Sequence, residues 1–308
     1  MKHLTAVLIS TLLLLGAQAF ASDQNGTRQA SILVSQDFTE VLAKALTADS
    51  SIEVIRAIPA DYSPDVHTYY LKKYFEHFSR LAQRADGVIT VASSWPDDPL
   101  YPWARRANIR IVNIDAITPL DKSRAGVPLL DFSAQPGKSP VVWNSPGNTA
   151  RIADIVGTDL QMLFPGEREQ IQANLNSLKK ALFKLRSRFE TAIGMADYFE
   201  VIAFSFNHAY LTEEFGIALV DSLVKPGVKV TPQEVMEVVT RARAKEVQVV
   251  LCGRSPSTEI NDLLVSQGLK VVVLRDFSYA AAQSAQQQLL AFHEHNLEVL
   301  VQGLTATQ

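Results

Sequence analysis

Four stretches of the chain gather side chains able to bind or to react. His67 stands among Tyr62, Tyr69 and Tyr70; residues 95–103 read WPDDPLYPW, with Trp95 and Trp103 at the ends; Trp143 shortly precedes a helix start; and Arg254 follows Cys252-Gly253 at the end of an apolar run. Rings stack and a guanidinium bonds a carboxylate through paired N–H groups, so this combination suits a flat or anionic organic ligand. A plainer reading stands beside it: rings next to prolines staple loops, Trp143 packs between helices, and Arg254 closes a surface salt bridge. Ser205 and His208, three residues apart, raise the question of a nucleophile and its base. No acidic side chain stands close enough in sequence to orient the imidazole, and no Gly-x-Ser-x-Gly elbow exposes the hydroxyl. The chain therefore reads as a non-enzyme. His77, His293 and His295 fall on helices and are expected in solvent, and Cys252 reads as a small buried hydrophobe.

The elements that must position these residues alternate between strand and helix. Residues 31–35 and 52–58 read as strands around a helix over 37–46, followed by a Pro-containing loop over 61–68 and a helix over 70–84. Strands at 88–92 and 109–114 follow, and the Trp95–Trp103 stretch reads as a loop leaving the first of them. That places it at a strand's carboxyl end, where open α/β sheets bind ligands. Residues 148–163 are helical. From 166 to 193 no further Pro or Gly interrupts, and Ile171, Leu175, Leu178, Leu182, Leu185, Phe189 and Ile193 recur every three or four residues. Such a helix spans roughly 40 Å at about 1.5 Å per residue, enough to run between two lobes. A second alternation follows, with strands at 201–204, 247–251 and 270–274, helices at 208–214, 256–267 and 283–304, and a capping pattern at Thr231-Pro232-Gln233-Glu234. The expected fold is α/β: two (β/α) lobes with parallel sheets, joined by one long rigid helix.

Met1-Lys2-His3, an apolar stretch over 4–16 and small-x-small sites near Ala19 and Ala21 make a secretory signal peptide. With one cysteine and so no internal disulfide, an exported chain of this kind fits a bacterial periplasm. The expected organisation is signal peptide 1–21, first lobe 22–164, linking helix 165–195 and second lobe 196–308. A net charge of −3 with no basic run gives no footprint for nucleic acid or anionic lipid. An apolar fraction of 47% is enough for true cores.

In order along the mature chain stand Ala85-Asp86 before a strand, Pro140-Val141-Val142-Trp143-Asn144-Ser145-Pro146-Gly147-Asn148 opening a helix, and the long helix. After it come VIAFSFNHAYL over 201–211 with Phe215-Gly216, then 249–256, then Leu274-Arg275-Asp276. With these landmarks the chain resembles the metal-type (cluster A-I, TroA-like, zinc/manganese) periplasmic solute-binding proteins of ABC importers. The resemblance implies a soluble, monomeric binding protein working with an ABC permease in the inner membrane, and a metal held between the lobes by four side chains. It puts His67 and Asp276 at the first and fourth ligand positions. At the second stands Val141, in place of a histidine, and at the third Ser205, with His208 three residues on.

A bare Zn²⁺ or Mn²⁺ needs about four donors to repay its dehydration, and a hydrocarbon offers none. Losing two donors on an intact frame points to a different cargo, a metal already wrapped in an organic chelator. The departure looks like the pyoverdine-type siderophore-iron branch of the family. The expected function is periplasmic binding of a metal chelate such as a ferric siderophore, with iron the expected metal and no built-in cofactor. The expected ligand-binding set is Tyr62, His67, Tyr69, Trp95, Trp103, Trp143, Ser205, His208, Arg254 and Asp276. Direct binding of zinc or manganese is the first alternative, an adhesin or metallochaperone the second, and a second periplasmic metal-binding protein a candidate partner.

Overall fold

The structure is a computed structural model that describes residues 28–130, 139–224, 229–280 and 282–306. The leader expected over 1–21 lies outside the described residues.

Two four-stranded parallel sheets organise the chain. The first contains β1 (Ser31–Val34), β2 (Glu53–Arg56), β3 (Gly87–Thr90) and β4 (Val112–Asp115) in the order β2-β1-β3-β4. The second contains β5 (Glu200–Ala203), β6 (Ala218–Ser222), β7 (Val249–Cys252) and β8 (Lys270–Val273) in the equivalent order β6-β5-β7-β8. The inner strands β1, β3 and β7 are buried along their whole length because helices cover both faces, and alternate residues serve opposite layers. In β1, Ile32 and Val34 face a core made with α1 (Asp37–Leu46), α5 (Pro146–Leu163) and α6 (Arg168–Gly194). Leu33 faces the opposite core, with α2 (His67–Lys73), α3 (Phe75–Arg84) and α4 (Leu100–Ala107). In the second sheet, Val250 and Cys252 face α8 (Pro232–Arg243) and α9 (Thr258–Ser266), while Val249 and Leu251 face α6 and α10 (Ala285–Leu304).

The stripe read along the long helix is its buried set, residue for residue, from Ile171 to Ile193. Its first four members belong to the core of the first sheet and its last three to that of the second, so one helix is shared by both. Helix α10 lies along the same two cores, with Leu289 in the first and Leu297, Leu300 and Leu304 in the second. The expected capping box is present at the start of α8: Thr231 receives the Glu234 N–H, and the Glu234 side chain caps Thr231 in return.

Local departures have local causes. The helix expected over 70–84 is two, α2 and α3, meeting at Tyr74, and α2 starts at His67 after a 3₁₀ turn over Pro64–Val66. The stretch expected as a loop after β3 contains α4 (Leu100–Ala107). Pro102 falls in its first turn, where no intrahelical N–H bond is due, and Leu100 and Ala104 bury one face. Strand β6 was not anticipated; it is a half-buried edge strand without clear alternation. His293, expected in solvent, is 1% exposed. Both cores close over α10, and the imidazole Nε2 lies 2.9 Å from the Thr149 hydroxyl on α5. That hydroxyl donates to the Trp143 carbonyl at 2.8 Å, so His293 Nε2–H must be the donor between them.

Candidate functional site

In each sheet the order of the strands reverses at its centre, between β1 and β3 and between β5 and β7, and the carboxyl ends at such a switch point are where open α/β sheets bind ligands. Trp95 follows β3. Ser205 and Arg254 follow β5 and β7, His67 follows β2, and Asp276 follows β8. The residues expected at the site thus divide into two clusters and a remainder.

The first cluster is centred on His67. Its imidazole is buried, with Nε2 3.2 Å from the Tyr62 carbonyl and the ring 6.3 Å from that of Trp95, edge to face. Burial lowers its pKa and the Arg56 guanidinium adds to that, outweighing the Tyr62 carbonyl, so the ring is neutral. Its Nδ1 is buried without a partner among the described residues. Tyr62 packs edge-on against Tyr70 at 4.7 Å, and half-buried Trp95 rests on the first core.

The second cluster is built on the turn from β5 into α7 (Ala209–Glu214). The Ser205 hydroxyl receives the Asn207 N–H at 3.2 Å, and the Asn207 side-chain amide donates to both Asp276 oxygens at 2.9 and 3.1 Å. Gly253 is required beside it, since a Cβ there would come within 2.9 Å of the Ser205 hydroxyl. His208 is buried with Nε2 at 3.1 Å from the Leu274 carbonyl, and its pKa is pushed down to about 4 by burial, against the pull of Asp276. Asn144, fully buried, donates to the Asn207 carbonyl at 2.8 Å and joins this cluster to the first lobe.

Four expected residues stand apart from both clusters. Trp143 is an interior residue, its ring stacked on Phe38 at 4.8 Å and 8°. Trp103 belongs to the outer helical layer, against Phe75 at 5.5 Å and under Arg106 at 4.8 Å. Tyr69 is 60% exposed, with the Lys73 ammonium 5.8 Å from its ring. Arg254 is exposed and has no ion-pair partner among the described residues. Val141 packs against the first core. Among the described residues, no three His, Cys, Asp or Glu side chains converge as metal donors. Cys252 is buried, and burial pushes its thiol up to about 12, so it is no thiolate.

Sequence reading missed Asn207 and Asn144, which stand inside the landmark stretches 201–211 and 140–148 but were given no role, and Arg56, which looks like any strand-end cation. Arg56 in fact bonds Asp37 at 2.6 Å, Glu40 at 2.7 Å and the Ile58 carbonyl at 2.7 Å at the edge of the His67 cluster. A cavity of about 710 Å³ also opens beside the start of α5, but its walls include Gly147, Arg151, Lys179 and Arg186 and none of the expected site residues.

Two parallel sheets of equivalent order, sharing one long helix between their cores, make the two-lobed α/β fold of the TroA-like binding proteins. The sequence model of the family described as zinc-uptake complex component A, periplasmic, matches residues 22–303, and the chain belongs to that family. A sequence search of curated proteins finds no match. Among solved structures, a mutant of FpvC from Pseudomonas aeruginosa is similar at TM-score 0.72 and 17% identity, covering 89% of this chain and 98% of its own. FpvC in complex with Mn²⁺ from the same organism gives 0.69 and 19%, over 90% and 98%. The Zn(II)-bound ZnuA-like domain of AdcA from Streptococcus pneumoniae gives 0.68 and 16%, over 90% and 100%. Among the described residues, no helix is long and apolar enough to cross a membrane.

Proposed function

We propose that this chain is a periplasmic solute-binding protein that carries a chelated metal, iron held in a siderophore, to an ABC permease in the inner membrane. Family membership supports transport of a metal as cargo. The observation that carries the chelate is the state of the four expected ligand positions. Val141 packs as a hydrocarbon, and Ser205 is a neutral hydroxyl receiving a backbone N–H. The Asp276 carboxylate is occupied by the two bonds from Asn207. A dehydrated dication gains too little from such a set, whereas a chelate brings its own donors and needs rings, hydrogen bonds and charge. Trp95, Tyr62, Arg56 and Arg254 are the residues we assign to that role, at the strand ends of the two sheets.

Direct binding of a bare zinc or manganese ion is the second reading, favoured by the unpartnered buried Nδ1 atoms of His67 and His208. Tryptophan fluorescence separates the two. Trp143 and Trp103 are packed away from the strand ends, so Trp95 is the expected reporter. A ferric siderophore quenches the emission, Trp95→Phe removes most of that response, and zinc or manganese ions leave it unchanged. Zinc binding at micromolar or lower concentration, abolished by His67→Ala, would establish the bare-ion reading instead.

A further inference from the structure

Asp276 lies on neither a strand nor a helix but on the segment 275–280 between β8 and α10. Both ends of this strap are tied to α10. The Arg275 N–H and carbonyl both bond the Asn296 side chain at 3.0 Å, and the Ala280 N–H donates to the Gln288 side chain at 2.9 Å. Its middle crosses to the other lobe. Phe277 sits edge-on to Phe38 of α1 at 5.8 Å, and the Tyr279 N–H donates to Asp37 Oδ2 at 2.9 Å. The Lys44 ammonium stands 5.0 Å from the Tyr279 ring. The other Asp37 oxygen receives Arg56 at 2.6 Å.

We propose that Asp37 is a positioning residue for the second cluster: it seats the strap on the first lobe and so holds Asp276 where Asn207 receives it. The inference stands on these contacts alone and is independent of which cargo is bound. Phe277 gives the strap an apolar anchor but no direction. The Asp37 carboxylate supplies the direction, because it is already oriented by Arg56 and leaves one oxygen for a single backbone N–H. A charge-assisted bond, even an exposed one such as this, gives a strap without regular structure a directional contact that apolar packing does not.

Amide hydrogen exchange on the full-length mature protein tests this. In Asp37→Ala the Tyr279 amide is expected to exchange about tenfold faster, with Phe277 and Asp276 following, while amides of α10 keep their natural protection. Asp37→Asn is expected to restore most of the protection. Arg56 keeps Glu40 and the Ile58 carbonyl, which leaves the asparagine oxygen for Tyr279. If the alanine variant does not fold, Tyr279→Pro removes the same N–H from the strap side and carries the same expectation for residues 276–278. Natural exchange across the strap in either variant would overturn the proposal, as would an increase spread evenly over the whole molecule.

Discussion

Replacing Glu214 by alanine is expected to lower the stability of the folded chain by about 3 kcal/mol, or about 5 °C in the unfolding midpoint. Glu214 ends α7 in the second lobe, yet its carboxylate caps the first turn of α5 in the first. It accepts the Gly147 N–H at 3.0 Å and the Ser145 hydroxyl, and it is paired with Arg186 of the shared helix at 2.8 Å. Removal opens the helix start and takes from Arg186 its better-buried counter-charge, leaving it only the exposed Glu190 at 3.0 Å. Gly147 is fitted to this carboxylate, since a Cβ there would lie 2.7 Å from Oε1. Gly147→Ala is therefore expected to cost about 2 kcal/mol in the natural chain and almost nothing in the Glu214→Ala background. Denaturant unfolding of the four proteins measures the cycle. Additive losses would mean that the glycine serves some other purpose than making room for the carboxylate.

Acid is expected to weaken the protein well above the carboxylate range. His293 and His208 are buried and neutral, their pKa values pushed down to about 3 and about 4 by desolvation, and burial lowers His67 as well. In the unfolded chain each titrates near its ordinary value of about 6.5. Above that pH neither state binds the proton and stability is level. Below it the unfolded state takes up protons that the folded state refuses, and each group subtracts about 1.4 kcal/mol per pH unit until its folded value is reached. Between pH 6.5 and 4.5 His293 and His208 together are expected to remove about 4 kcal/mol. Burial also raises the carboxyls of Asp98 and Asp159, which favours the folded state in acid and opposes the trend. His293→Gln isolates the histidine, since the amide can still donate to Thr149 but does not titrate. The variant should lose less stability with falling pH than the natural chain. Parallel pH profiles for the two would assign the acid sensitivity elsewhere.

Both effects arise at junctions between the lobes, and neither junction has a sequence signature. Glu214 is an ordinary helix-end glutamate until α5 is brought to it. His293 was expected in solvent as a histidine on a helix; burial follows from the two cores meeting over that face of α10. The tryptophans show the same limit. Trp95 and Trp103 after a strand end and Trp143 before a helix start were all candidates for the site, but the extra helix α4 carries Trp103 outward and Phe38 holds Trp143 in the interior. Only Trp95 lies against His67.

Periodicity and composition alone determined the alternating elements apart from β6, α4 and the break between α2 and α3, together with the long helix and its seven-residue stripe, because these depend on which residues must leave water at a spacing of two or of three to four. Tertiary structure decided which polar groups meet: Asn207 with Asp276, Asp37 with Tyr279, Glu214 with the start of α5. Those pairings join residues tens to hundreds of positions apart and involve one or two hydrogen bonds each. They repeat at no interval along the chain and exist only once both lobes have closed around α6 and α10.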